Sequence, residues 1–400
     1  VIAPRLSNAD LPMFFEPRHH ELAARVLAAA PAIEAAEQAA DEPARDRAAA
    51  AALAAAGLFA LTSSPPGAPG AGAPDGSDGS DGSIRALDLC LARELLGWAS
   101  PRADSIFAVQ GLGTYAVIAA GSPAQRALLP AFARGERIAA FALTEPEAGS
   151  DVAALQTRAV REPDGGWRLD GDKLFISNLG LASHAIVFAN ADPAAGRKGI
   201  TAFWLPLDTP GATVTPQAPI APHPLGALAL RGCRLPADAV IGEVGAGFRL
   251  AMQTLDTYRV SVGAAAVGMA RRALAEATAF VRGRSQFGKP LAEQPLVQAH
   301  LADMIVDLDA ARLLVLRAAW ARDHAAAGAR VTTEVSIAKL GATEAAQRVI
   351  DRAVQLFGGR GVIAGAVVEH LYRAIRPLRI YEGTSEIQRT VIGRAVAGEP

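Results

Sequence analysis

Near residue 140 the hydrophobic pattern of this chain changes period, and near residue 242 it changes back. Before the first switch, apolar residues recur at helical spacing, as in Leu87, Leu91, Leu95 and Trp98. Between the switches lie short β-branched and aromatic runs such as "HAIVFANA" and "GITAFWLPL". Pro-Asp-Gly-Gly and Asp-Gly turn signals punctuate them. After "GEVGAGF" long helical runs return around 246–282, 293–327 and 333–357. The order is helical, then mostly β, then helical. It lacks βαβ alternation, which argues against a doubly wound nucleotide-binding sheet.

Within this frame the first helices span 15–60, broken near Asp41-Glu-Pro43 and stopped at Gly57. Residues 62–83 are Pro/Gly/Ser/Asp-rich, cannot offset their ordering entropy by burial, and read as a flexible surface loop. Helical spacing resumes at Ile84 and runs with interruptions to about Arg134. "GLGTYA", 111–116, fits a loose dinucleotide-loop pattern but lies in a helical run, so it reads as a glycine-relieved packing site. "SIAK", 336–339, fits SxxK without the companion motifs that would give it chemistry, and reads as coincidence.

Alanine supplies much of the 51% hydrophobic content, while aromatics make up only 5%, which favours close helix–helix packing. A formal net charge of −1 offers no general attraction to nucleic acid or anionic membrane. Cys90 and Cys233 lack metal-ligand spacing, and His19–His20 reads as solvated surface, so no metal site is expected. No charge-free run of about 18 apolar residues and no basic-then-apolar leader is visible. A reducing, cytoplasmic setting is therefore expected.

The chemistry concentrates near the end, in "RIYEGTSEIQRTVIGR", 379–394. Ser385 and Gln388 have capping-box spacing, so a helix starts there, and Glu382 sits on the turn before it. Three further segments accompany it: "FALTEPEAGSD", 141–151; "GDKLFISN", 171–178; and "RSQFGKPL", 284–291. "QLFGGRG", 355–361, joins the last set. In order and spacing these segments resemble the acyl-CoA dehydrogenases, and the resemblance extends from about residue 15 to 397.

That resemblance implies an α+β fold: an N-terminal all-α domain (1–139), a middle β-barrel or sandwich (140–241) and a C-terminal four-helix bundle (242–400). It implies FAD as cofactor, with Phe141, Leu143, Thr144, Gly149, Ser150, Phe175 and Ser177 around the flavin. Phe175 and Ser177 are expected to share one strand face. Arg284, Phe287, Gln355, Gly358 and Gly359 would serve the FAD of a neighbouring subunit, which implies a homo-oligomer, tetramer or dimer. Thr384 and Glu386 complete the cofactor set, while Ser150, Asp256, Arg259, Gly383 and Arg394 would touch the acyl-CoA.

Glu382 would be the base that removes the proton next to the thioester carbonyl, with the β-hydride passing to flavin N5 and a trans-2-enoyl-CoA as product. The base position that some relatives use instead is Tyr258 here, so only Glu382 fits. Electron-transfer flavoprotein is the expected acceptor. An acyl-CoA oxidase using oxygen, and a non-catalytic or carrier-protein-binding relative, remain alternatives; the retained glutamate argues against a flavin monooxygenase.

Overall fold

The computed structural model describes residues 11–65, 84–326 and 329–398. Helices α1 (Pro17–Ala36), α2 (Glu42–Ala55), α3 (Ala60–Ser63), α4 (Ala86–Ala99), α5 (Pro101–Ala120), α6 (Pro123–Arg126) and α7 (Leu129–Ala133) come first. Strands β1 (Ala139–Ala142), β2 (Arg158–Arg161), β3 (Trp167–Ser177), β4 (His184–Asn190), β5 (Ile200–Pro206), β6 (Ala212–Gln217) and β7 (Leu225–Leu235) follow. The chain closes with α8 (Gly247–Gly283), α9 (Pro295–Asp323), α10 (Thr332–Phe357), α11 (Val367–Ile375) and α12 (Ser385–Ala397). The α+β class and the helical C-terminal part are as the sequence predicts. By compactness the chain forms two units, each assembled from separated segments.

The sheet unit comprises Pro31–Ile84 and Ser105–Thr257. Its seven strands form one curled, half-barrel sheet in the order β1-β4-β2-β3-β7-β6, with β5 on β4. Alternation sends neighbouring residues to opposite faces. Ala140, Ala142, Ala185 and Val187 join a core with Phe203, Leu228 and Leu230. Ala139, Ile186 and Phe188 face a second core that includes Val117 of α5 and Phe132 of α7. Gly113, within the GLGTYA stretch, lets α5 reach β1: a Cβ there would lie 2.7 Å from that of Ala139. The Pro101–Ala120 helix is long and apolar enough to cross a membrane, but 72% of its apolar window is buried inside the protein.

The helical unit comprises Val1–Ala30, Arg85–Asp104 and Tyr258–Pro400. Small residues dominate its core, among them Ala264, Ala266 and Ala270 of α8 and Ala338, Ala342 and Ala346 of α10. Where α4 crosses α8 the backbones nearly touch, since a Cβ on Gly268 would lie 2.0 Å from the Glu94 carbonyl oxygen.

Two sequence expectations change. His19 is fully buried rather than solvated: its Nδ1 accepts from Glu16 N–H and its Nε2 lies 3.2 Å from Asp88, while His20 is exposed. Its neighbours in sequence are polar, but at helical spacing it shares the buried side of α1 with Leu22, Ala23 and Val26. The 62–83 loop begins later than expected, because Thr62 and Ser63 are buried and end α3, with Ser63 bonded to Thr114 at 3.1 Å. The part of that loop from 66 to 83 lies outside the described residues.

Candidate active site

In the helical unit Glu382 and Gly383 both adopt left-handed backbone angles, φ +52° and +95°. For a glutamate that geometry is strained. Gly383 accommodates it, and a Cβ there would sit 2.3 Å from Gln388 Nε2. Two successive left-handed residues turn the peptide carbonyls inward. Arg259 Nε donates to the Glu382 carbonyl at 3.0 Å, and Lys339 Nζ donates to the Gly383 carbonyl at 2.7 Å. Both cations are buried. Gln388 Nε2 adds a second bond to Gly383 at 3.2 Å.

Both buried cations thus bond the backbone of the turn beside the Glu382 carboxylate. Its Oε2 is buried and accepts no hydrogen bond. Burial raises the Glu382 pKa, and the charges of Arg93, Arg259 and Lys339 offset part of that rise. Arg93 is itself fixed: it grips Asp104 through two bonds of 2.8 and 2.9 Å and donates to Ser261 Oγ at 3.0 Å. Burial pushes Lys339 down to about 8, against the opposing pull of the Glu382 charge and with Arg259 adding to the drop.

The helix after the turn starts one residue earlier than the capping-box spacing predicts. Thr384 is the N-cap, accepting from Ile387 N–H at 3.3 Å. Ser385 is buried and donates to Glu344 Oε1 at 2.6 Å, and Arg379 donates to the same carboxylate at 3.0 Å. The left-handed Gly383 completes the turn early and hands the cap to Thr384. Lys339 and Glu344 of α10 therefore hold both sides of the turn. Glu386 and Arg394 are exposed on α12. Asp256, in the sheet unit, is half-buried on α8.

In the sheet unit the segment 141–151 is bound to β3 by a buried ion pair. Lys173 Nζ lies 2.7 Å from Glu145 and also donates to the Leu143 and Phe188 carbonyls, at 3.3 and 2.6 Å. Glu145 accepts further bonds from the N–H groups of Gln156 and Thr157. Leu174 N–H bonds the Thr144 carbonyl at 2.9 Å. Leu143 is buried, Thr144 and Phe141 are half-buried, and Gly149 and Ser150 are exposed. Phe141 packs edge-on against Phe188.

Phe175 interrupts its strand. It has φ +57°, lies at a register shift between Lys173 and Ile176, and is 60% exposed. The bulge breaks regular alternation, so Phe175 and half-buried Ser177 do not share a plain pleated face, contrary to the sequence reading. A large aromatic held outward at a strained φ is the feature here that best fits a flat ring system such as a flavin.

The remaining candidates gather at the far end of the helical unit. Phe287, φ +54° and 95% exposed, tips a short hairpin of Ser285–Gln286 and Lys289–Pro290. Half-buried Arg284 begins it. Phe280 of α8 stacks on Phe357 of α10 at 4.3 Å, which brings this hairpin beside exposed Gln355, Gly358 and Gly359. Lys339 and Gln355 are about 24 Å apart along α10 at 1.5 Å per residue. This group and the Glu382 turn therefore do not share one site within the unit.

The SIAK stretch, which reads as coincidence in the sequence alone, ends in Lys339, which bonds the turn, and the sequence gives no indication of Arg93 or of the Lys173–Glu145 pair. The available signal was a charge within an apolar helical stripe: Lys339 shares its face with Val335 and Ala342.

Residues 140–233 match the family model for the acyl-CoA dehydrogenase middle domain, and 245–397 the model for the C-terminal domain. The human mitochondrial short-chain specific acyl-CoA dehydrogenase is 42% identical over 276 residues, which is 68% of this chain but 66% of that protein's length. The butyryl-CoA dehydrogenase structure from Megasphaera elsdenii superposes with a TM-score of 0.85 at 32% identity, covering 96% of this chain and 99% of that one. A glutaryl-CoA dehydrogenase from Mycobacterium smegmatis in complex with FADH2 gives 0.84 at 28% identity, covering 100% and 99%.

Proposed function

The chain belongs to the acyl-CoA dehydrogenase family, and from that premise we propose that it oxidises an acyl-CoA to its trans-2-enoyl-CoA with Glu382 as base. The observation that carries the reading is the Glu382 carboxylate: buried, raised in pKa by desolvation, with one oxygen free of hydrogen bonds. Such a group is poised to take a proton of low acidity near neutral pH. Arg259 and Lys339 bond the backbone of the turn and hold it around the side chain.

FAD fits the sheet-unit residues, where exposed Phe175 offers a ring face and Thr144 and Ser177 offer hydroxyls. When bound it supplies the two-electron acceptor for the C–H bonds that break. Leu143, Gly149 and Ser150 would hold it through the 141–151 segment that Lys173 fixes. Arg284, Phe287, Gln355, Gly358 and Gly359, grouped about the end of α10 remote from Lys339, would serve the cofactor of a second copy, so the assembly is a homo-oligomer. Electron-transfer flavoprotein is the proposed acceptor of the electrons.

The decisive experiment is anaerobic mixing of the purified yellow protein with an acyl-CoA panel. Butyryl-CoA comes first, because the relatives above include enzymes named for short chains and for butyryl-CoA. Bleaching by at least one member is expected. FAD binding without reduction by any of them would overturn the reading and favour a non-catalytic or carrier-protein-binding role. Reoxidation by air as fast as by the flavoprotein would favour the oxidase. Glu382→Gln should slow bleaching about 10²–10⁴-fold, the usual contribution of a general base.

A further inference from the structure

We propose that Lys339 is a positioning residue for the base: by donating to the Gly383 carbonyl from the buried face of α10, it holds Glu382 in its left-handed turn. This rests on the reading of Glu382 above. Three observations support it. Lys339 is fully buried, and its bond of 2.7 Å runs to a backbone carbonyl rather than to a carboxylate. The residue it grips directly follows a glutamate at φ +52°, a conformation that persists only when its surroundings enforce it. Five residues on, Glu344 takes the Ser385 hydroxyl, so one helix fixes the turn on both sides of Thr384.

A buried ammonium satisfied mainly by a peptide carbonyl is costly to keep, which a purely structural contact does not require. A neutral donor could make the same hydrogen bond. What the charge adds is electrostatic: Lys339 lowers the Glu382 pKa alongside Arg93 of α4 and Arg259 of α8, against Asp104 of α5. Lys339 in turn feels Glu382, Arg259, Glu344 and Glu386. Burial dominates that balance and brings Lys339 down to about 8. The clamp is thus charged at neutral pH and loses its proton in mildly alkaline solution.

The test compares wild type, Lys339→Met and Lys339→Arg as FAD-loaded proteins, by hydrogen exchange of the 380–388 segment and by the pH dependence of anaerobic reduction. In Lys339→Met, exchange in that segment should rise at least tenfold while the rest of α10 keeps its protection. Its kcat should fall about tenfold or more with KM changed less than twofold, the mark of a lost transition-state arrangement. The acid limb of the profile should move up by about 1 unit, as expected when a nearby cation is removed from a carboxylate. Lys339→Arg, charged throughout, should restore protection and abolish the wild-type loss of activity above about pH 8. If Lys339→Met does not fold, the Lys339→Arg profile decides alone: an alkaline limb unchanged from wild type overturns the proposal. So does wild-type exchange in the Met variant. Should no acyl-CoA reduce even wild type, the base assignment fails, and the exchange comparison still decides the clamp.

Discussion

Each unit contains a fully buried lysine near a buried or half-buried glutamate, and the two lysines are used in opposite ways. In the sheet unit Lys173 spends its charge on Glu145, at 2.7 Å, and the pair is surrounded by donors and acceptors. In the helical unit Lys339 spends its strongest bond on the Gly383 carbonyl, and the nearby Glu382 keeps an oxygen with no partner. Burial acts on both glutamates, yet it is outweighed at Glu145, whose pKa is lowered, and prevails at Glu382, whose pKa is raised. A carboxylate given its cation directly becomes a structural tie. One whose neighbouring cations bond its own backbone keeps a raised pKa and an oxygen without a hydrogen bond.

The largest expected effect tests the structural side. Lys173→Met leaves Glu145 charged and buried without its cation, which should cost about 3–5 kcal/mol of stability. Urea unfolding measures this directly. The chain's segment 141–151 should also loosen, so FAD affinity falls with stability. If Lys173→Met is no less stable than Lys339→Met, the two lysines are equivalent and the contrast fails.

Next is Gly383→Ala. A Cβ at φ +95° adds backbone strain, and the close Gln388 amide must move, although it is the end of a side chain that can yield. About 1–3 kcal/mol is the usual scale for such a residue. Because the change falls in the turn, kcat for acyl-CoA reduction should drop further than the melting temperature suggests. A variant that loses stability but keeps full activity per folded molecule would separate the turn from catalysis.

How much of this was readable beforehand follows from where each signal lives. The two changes of hydrophobic period locate the sheet correctly because alternation and 3.6-residue spacing are imposed by burial along a single segment. Glu382 could be singled out because its whole turn is contiguous, from Tyr381 to Ser385. Its supports could not. Lys339 is 44 residues and Arg259 123 residues away in sequence, and nothing local marks either as bonded to that turn. The cap was misread by one residue because Thr384 and Ser385 both offer a hydroxyl; only the left-handed Gly383 decides between them. His19 was misplaced for a similar reason, since its partner Asp88 lies on another helix.

The smallest effect is also the one with the clearest sign. At Glu145 burial raises the pKa, but Lys173 and the N–H groups of Thr157 and Gln156 outweigh it, and the result lies below the ordinary 4.5. The unfolded chain therefore takes up a proton first on acidification, so Glu145's contribution to stability is present above about pH 4.5 and lost as pH falls through the lower folded value. Glu382 runs the other way. Burial holds it above 4.5, so the native state takes up its proton first, and its contribution declines as pH rises from 4.5 through the folded value. Replacing each with glutamine should consequently open stability gaps of opposite sign. Glu145→Gln becomes less stable than wild type as pH rises toward neutral, whereas Glu382→Gln becomes more stable. Urea unfolding at a series of pH values from about 4 to 7 measures both gaps. Gaps that open in the same direction would mean that the two carboxylates share one environment, and the distinction between tie and base would collapse.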